Sequence, residues 1–257
     1  MRALLIGDVV GGVGLRALLD RLPGLRETHR PDVVVVNAEN AAAGAGTSPR
    51  QAQDLLDAGV DVLTGGNHTL QKTEIYPMLE SEPRMLRPAN IAVRAPGRGL
   101  VTVETPAGPV SVVNVLGSVF MTASQSPFAI IDDLVERARE GASHVIVDVH
   151  AEATSEKIAL GWHLDGRVTA VVGTHTHVQT ADARVLPGGT AYLTDLGMTG
   201  PHDSVIGVRT EIILRRFLSG GPGRFEPAEE GVLVQRAVVD AGPDGRARAI
   251  ETFSLPG

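Results

Sequence analysis

The chain has 257 residues, of which 43% are hydrophobic and 21% charged, a globular composition that excludes disorder and fits one domain over residues 1–257. Its formal net charge is −7 and its arginines are scattered singly or in pairs such as Arg215-Arg216, so no stripe for duplex nucleic acid is expected. It has no cysteine, hence neither disulfides nor thiolate metal sites, and the opening MRALLIGDVVGG is too short an apolar stretch for a signal peptide or a membrane span, which points to the cytoplasm.

The spacing of apolar residues predicts a strand over 3–6, a helix through 15–22, a strand over 33–36, a helix over 51–58 and a strand over 60–63. Runs that are apolar at nearly every position suit strands buried on both faces of a largely parallel sheet. Each run ends in polar residues: Asp8, then Asn37-Ala38-Glu39-Asn40, then Gly66-Asn67-His68. The carboxyl edge of an open α/β sheet is where such folds bind ligands. Residues 91–115 alternate as strand pairs around a turn at 106–109, predicting an antiparallel section. A helix is expected over 128–140, a strand over 144–149 ending in His150, and a strand over 168–172 running into Gly173-Thr174-His175-Thr176-His177. Further strands are expected over 191–194, 208–217 and 232–239, with 219–223 a flexible loop.

Asp8, Glu39, Asn40, Asn67, His68, His150, His175 and His177 therefore all follow predicted strands. Oxygen and imidazole donors without thiolate suit iron, manganese or zinc, and a carboxylate reached by two ions can bridge them. Two such ions clamp a phosphoryl group and generate a hydroxide at neutral pH, which is phosphoester chemistry. A histidine outside the metal shell can protonate the departing alkoxide.

At these residues the sequence resembles the calcineurin-like metallophosphoesterase superfamily, in Gly7-Asp8, Asn37-Ala38-Glu39-Asn40, Gly66-Asn67-His68, His150 and Gly173-Thr174-His175-Thr176-His177. The closer resemblance is to the YmdB-like family, whose GDVVG, NAEN, GGNH, DxHAE and GTHTHVQT stretches are present nearly letter for letter, together with 192–201. The resemblance implies a four-layer α/β/β/α sandwich of two mixed β-sheets. It implies two divalent or trivalent transition-metal ions per chain, iron first, with manganese or zinc as alternatives. One would take Asp8, Glu39, Asn40 and His177 and the other Glu39, Asn67, His150 and His175, with Glu39 as the bridge. His68 would be the proton donor, and the substrate a small phosphodiester such as a 2′,3′-cyclic nucleotide, attacked by a metal-bridged hydroxide. Two positions depart from the wider superfamily: Val10 stands where a histidine is usual and Glu39 where an aspartate is; both match the YmdB-like branch.

Each residue taken alone has a plainer reading: Asp8 as a turn cap, Asn67 in a left-handed turn, His150 as a satisfied core histidine. His175 and His177, separated by one residue, are expected to share one side of an extended segment. His29, His144, His163 and His202 are expected to face solvent. Asp148 should lie on the same side of its strand as His150, Glu152 is open, Asp195 and Glu211 are at most supporting residues, and Arg209 is expected as an exposed strand residue. The Gly12-x-Gly14-x-x-Ala17 match offers a rival dinucleotide-binding reading, placed too far beyond the first strand to suit it. A second rival is a non-catalytic regulator that keeps the metals to bind a nucleotide. A homo-oligomer is compatible with all of these.

Overall fold

A computed structural model describes residues 1–221 and 224–257; of the loop expected over 219–223, residues 222 and 223 lie outside the described residues. In chain order the first half contains β1 (Arg2–Ile6), β2 (Asp8–Val9), α1 (Gly11–His29), β3 (Val33–Asn37), α2 (Pro49–Asp57), β4 (Val62–Thr64), α3 (Tyr76–Ser81), β5 (Leu100–Val103), β6 (Val110–Leu116) and α4 (Ile131–Gly141). The second contains β7 (His144–His150), α5 (Thr154–His163), β8 (Ala170–Thr174), β9 (Arg184–Val185), β10 (Ala191–Leu193), β11 (Met198–Pro201), α6 (Thr210–Ser219), β12 (Val232–Ala241) and β13 (Ala247–Pro256).

Two mixed sheets result. One runs β2-β11-β12-β1-β3-β4, with β13 also on β12; the other runs β5-β6-β7-β8-β10-β9. The central ladders β1-β3-β4 and β6-β7-β8-β10 are parallel, while β12 and β5 join antiparallel. The alternation of strand side chains sorts residues into layers. Ala3, Leu5, Val33, Val35 and Val62 face Val110, Val112, Ile146, Ala170 and Val172 between the sheets. Leu4, Ile6, Val34 and Val36 pack outward on Leu18, Leu22 and Leu55 of α1 and α2, and Val113, Val145, Val147 and Val171 on Leu134, Val135 and Leu160 of α4 and α5. This is the expected layering of helix, sheet, sheet and helix.

The antiparallel section is real, but only β5 and β6 carry it. The expected strand over 208–217 is instead the helix α6. Its run of apolar residues misleads because Leu214, Phe217 and Leu218 stay exposed, and Gly220 at φ 66° closes the helix with its N–H on the Arg216 carbonyl. Helices α3 and α5 and strand β13 were not anticipated. His144 is buried at 2% exposure, not solvent-facing, because it opens a central strand. The glycine match at 12–17 lies inside α1, where a Cβ on Gly14 would collide with the Thr199 carbonyl; the glycine serves helix-to-strand packing. No helix among the described residues is long and apolar enough to cross a membrane.

Candidate metal centre

Asp8 opens β2, Glu39 and Asn40 follow β3, Asn67 and His68 follow β4, His150 ends β7, and His175 and His177 follow β8. The carboxyl ends of parallel strands from both sheets meet here, so the donors converge although residues 8 and 177 stand far apart in sequence.

The tightest group surrounds His150 Nε2, which lies 3.0 Å from Glu39 Oε1, 3.1 Å from Asn67 Oδ1 and 3.1 Å from His175 Nδ1. Glu39, His150 and His175 bring ligand atoms within 4.8 Å of one another. The ring tautomers follow from the partners on the far side. Thr174 Oγ1 gives its only proton to Asp148 Oδ1 (2.8 Å), so at 2.9 Å it accepts from His150 Nδ1–H, which leaves Nε2 as the nitrogen a metal ion could take by displacing its proton. His175 Nε2 faces Glu152 Oε2 at 3.1 Å, so its Nδ1 is the free nitrogen. His177 Nδ1–H donates to the Ile206 carbonyl at 2.8 Å, which frees Nε2. Each of the three rings thus has one nitrogen committed to an outer partner and the other turned into the site, the arrangement of metal-ligating histidines.

The other group is looser. His177 Nε2 is 3.8 Å from Asp8 Oδ1 and 3.2 Å from Asn40 Nδ2. Asn40 thus turns its nitrogen, not its oxygen, toward His177, while its Oδ1 accepts from His68 Nδ1–H at 2.7 Å. Asp8 Oδ2 accepts from the His175 backbone N–H at 3.0 Å, but Asp8 Oδ1 is buried without a hydrogen-bond partner. An orphaned carboxylate oxygen in a dry site is costly unless a cation completes it, so the donor set fits metal ions.

The protonation pattern agrees. Burial pushes the Asp8 carboxyl up to about 6 despite His177 and His150. Burial acts to lower His150, but Glu39 and Asp8 outweigh it and raise the ring to about 9. His175 is lowered to about 3 by burial and by His150. Glu39 is held well below the usual range because His150 and His68 overcome its desolvation. Without a metal, the His150 imidazolium supplies the positive charge the cluster needs; a metal cation in its place displaces that proton.

Neither His175 nor His177 sits in an extended segment: their φ values are 99° and 64°, and the convergence comes from this strained turn rather than from strand alternation. Asp195 holds the turn. Its Oδ2 accepts from Thr176 N–H (3.1 Å) and Thr176 Oγ1–H (2.7 Å) and pairs with the buried Lys157 Nζ at 2.8 Å. Asp148 accepts from Thr64, Thr174 and Asn37, tying one sheet to the other under the site. Asn37, Thr64, Lys157 and Thr174 were missed by reading the sequence; Asn37 and Thr174 at least lie within the quoted motifs. Arg209 and Glu211 pair with each other at the start of α6 and are not among the donors. The donors open into a cleft of about 460 Å³ whose lining also includes Val10, His68, Glu152, Ile206, Val208 and Phe225.

The YmdB-like protein family matches residues 4–253. A Bacillus subtilis (strain 168) protein named 2′,3′-cyclic-nucleotide 2′-phosphodiesterase is 44% identical over 93% of this chain and 91% of its own length. A crystal structure of a hypothetical protein from Thermus thermophilus superposes with TM-score 0.93 at 44% identity, covering 100% of this chain and 99% of that one. The crystal structure of a novel phosphatase from Mycoplasma pneumoniae has the same TM-score, 0.93, at 33% identity, covering 100% of this chain and 93% of that one.

Proposed function

This chain belongs to the YmdB-like family, and from that premise we propose that it is a cytoplasmic, metal-dependent phosphodiesterase, one domain over residues 1–257, that opens 2′,3′-cyclic nucleotides or related small phosphodiesters. The observation that carries the reading is the ring of donors around His150 Nε2, all within 3.1 Å, beside the unpartnered Asp8 Oδ1. The Bacillus subtilis relative's name supplies the substrate class.

Asp8, Glu39, Asn40 and His177 would hold one ion and Glu39, Asn67, His150 and His175 the other, with Glu39 shared; for Asn40 this requires its amide to turn its oxygen inward. Two such ions, iron with manganese or zinc as alternatives, supply Lewis acidity that polarises phosphoryl oxygens and lowers the pKa of a water for in-line attack. The chain's own residues do the rest. Thr174, Glu152 and the Ile206 carbonyl fix the rings of His150, His175 and His177. His68 receives a backbone anchor from its N–H to Glu39 Oε2 at 2.9 Å and a ring anchor at Asn40. Once the Asn40 amide has turned its oxygen inward, its Nδ2–H faces and donates to His68 Nδ1, so the ring would carry its proton on Nε2, the atom from which it passes to the departing O2′. Water adds to phosphorus, the P–O2′ bond breaks, the 2′-oxygen leaves with the His68 proton, the proton shed by the water restores His68 through solvent, and a 3′-phosphomonoester remains.

Elemental analysis of purified protein, with turnover of 2′,3′-cyclic AMP before and after chelation, tests this directly. Activity should be lost on chelation and restored by metal, and Glu39→Ala should bind neither ion properly and lose at least about 10³-fold in kcat. Protein that retains metal but never hydrolyses a phosphodiester would instead be the nucleotide-binding regulator, a reading for which Val10 and the turned amide of Asn40 speak.

A further inference from the structure

The proposed chemistry leaves the arginines around α6 unused. Arg209, Arg215, Arg216 and Arg224 line a groove of about 320 Å³ that also carries Glu211 and Glu226. Arg209 is tied to Glu211 at 2.6 Å and lies 3.6 Å from Glu226. Arg215, Arg216 and Arg224 form no ion pair among the described residues, so the groove is left with a surplus of positive charge on a chain whose net charge is −7.

This groove and the catalytic cleft meet at Phe225. The ring, 48% exposed, lines the cleft with Ile206, and the Arg216 guanidinium carbon lies 4.9 Å from its centroid. Ile206, 52% exposed, holds φ 47°, which is costly for a β-branched residue, and its carbonyl is the acceptor that orients His177. An apolar wall is thereby fastened to the metal centre on one side and adjoins an arginine groove on the other. An aromatic platform beside a basic groove is the way proteins hold single-stranded nucleic acid: bases stack and arginines take the phosphates.

We infer that the substrate is the 2′,3′-cyclic phosphate end of a short single-stranded oligoribonucleotide, with its terminal base against Phe225 and Ile206 and the preceding phosphate in the groove of Arg215, Arg216 and Arg224. This rests on the phosphodiesterase reading and extends it. The bond change is unaltered: water adds, P–O2′ breaks, and the chain end becomes a 3′-phosphomonoester with a free 2′-hydroxyl. A free cyclic mononucleotide has no preceding phosphate and cannot use the groove. Duplex is excluded because the terminal base must leave its stack to reach the wall.

The test compares kcat/KM for 2′,3′-cyclic AMP with that for a tetra-adenylate ending in a 2′,3′-cyclic phosphate, in the metal-loaded enzyme and in its Arg215→Gln/Arg224→Gln variant. The tetranucleotide should be favoured by about tenfold or more at low salt, chiefly through KM, and the ratio should collapse toward one in the variant and at high salt. Equal kcat/KM for both substrates, or a ratio unchanged by the substitutions, overturns the inference. Fluorescence anisotropy of a 5′-labelled tetra-adenylate 3′-phosphate reads the groove without turnover: weaker binding by the variant supports it and equal binding overturns it. If neither substrate were hydrolysed, the phosphodiesterase reading would fail while the anisotropy still judged the groove.

Discussion

A single hydroxyl proton orients the ring of His150, one of the proposed metal ligands. Thr174 Oγ1 commits its proton to Asp148 and so accepts from His150 Nδ1–H, which keeps Nε2 turned toward Glu39, Asn67 and His175. Thr174→Val keeps the shape and removes this relay. Metal affinity, measured by competition with a chromogenic chelator, should fall by about 10–100-fold; an unchanged affinity would show that the Thr174 hydroxyl does not fix the ring. Gly66 shows a different constraint. A Cβ there would land on the Glu39 carboxylate and the His150 ring, so its place in Gly66-Asn67-His68 follows from the space the donors occupy.

At the scale of elements, α5 and the turn after β8 depend on one buried pair. Lys157 of α5 is 1% exposed and meets Asp195, which in turn holds Thr176 between the two histidines. Lys157→Met would leave the Asp195 carboxylate buried without its counter-charge. Urea unfolding should show a loss of about 3–5 kcal/mol, and metal retention should fall with it because the turn loses its anchor. A stability within about 1 kcal/mol of the parent would mean that the Thr176 and Gly197 donors satisfy Asp195 unaided. Neither α5 nor this pair was legible from the chain: the stretch after His150 shows weak amphipathic spacing, and a lone lysine in it reads as surface. The helix α6 was misread for a related reason, since its apolar residues mostly face outward and carry no information about a core.

At the scale of the whole molecule, the site concentrates carboxylates and imidazoles from both sheets at one edge, and the partnerless Asp8 Oδ1 marks where a cation would reconcile them. In metal-stripped protein the His150 pKa is raised to about 9 from an ordinary value of 6.5. A raised pKa in the fold contributes stability that is complete below 6.5 and is lost as pH rises through 9. The titration of Asp8 toward about 6 lies below that window. Stripped protein should therefore show a Tm that falls from pH 6.5 to 9, and metal should raise Tm more at pH 9 than at pH 6.5, as read by differential scanning fluorimetry. A Tm of the stripped protein independent of pH over that range would contradict the His150–Glu39 pairing.

The local sequence determined the β1-α1-β3-α2-β4 succession and the aliphatic layers, because strand period is a property of neighbouring residues; the proposed donors came from polar residues at strand ends together with the family resemblance that their motifs carry. It also placed those donors at strand ends. What only the tertiary structure decided is which atoms meet: the left-handed backbone at His175 and His177, the tautomers set by Thr174, Glu152 and the Ile206 carbonyl, and the turn of the Asn40 amide toward His68. Those depend on how two sheets pack face to face, and packing joins residues separated by more than a hundred positions, about which short-range periodicity says nothing.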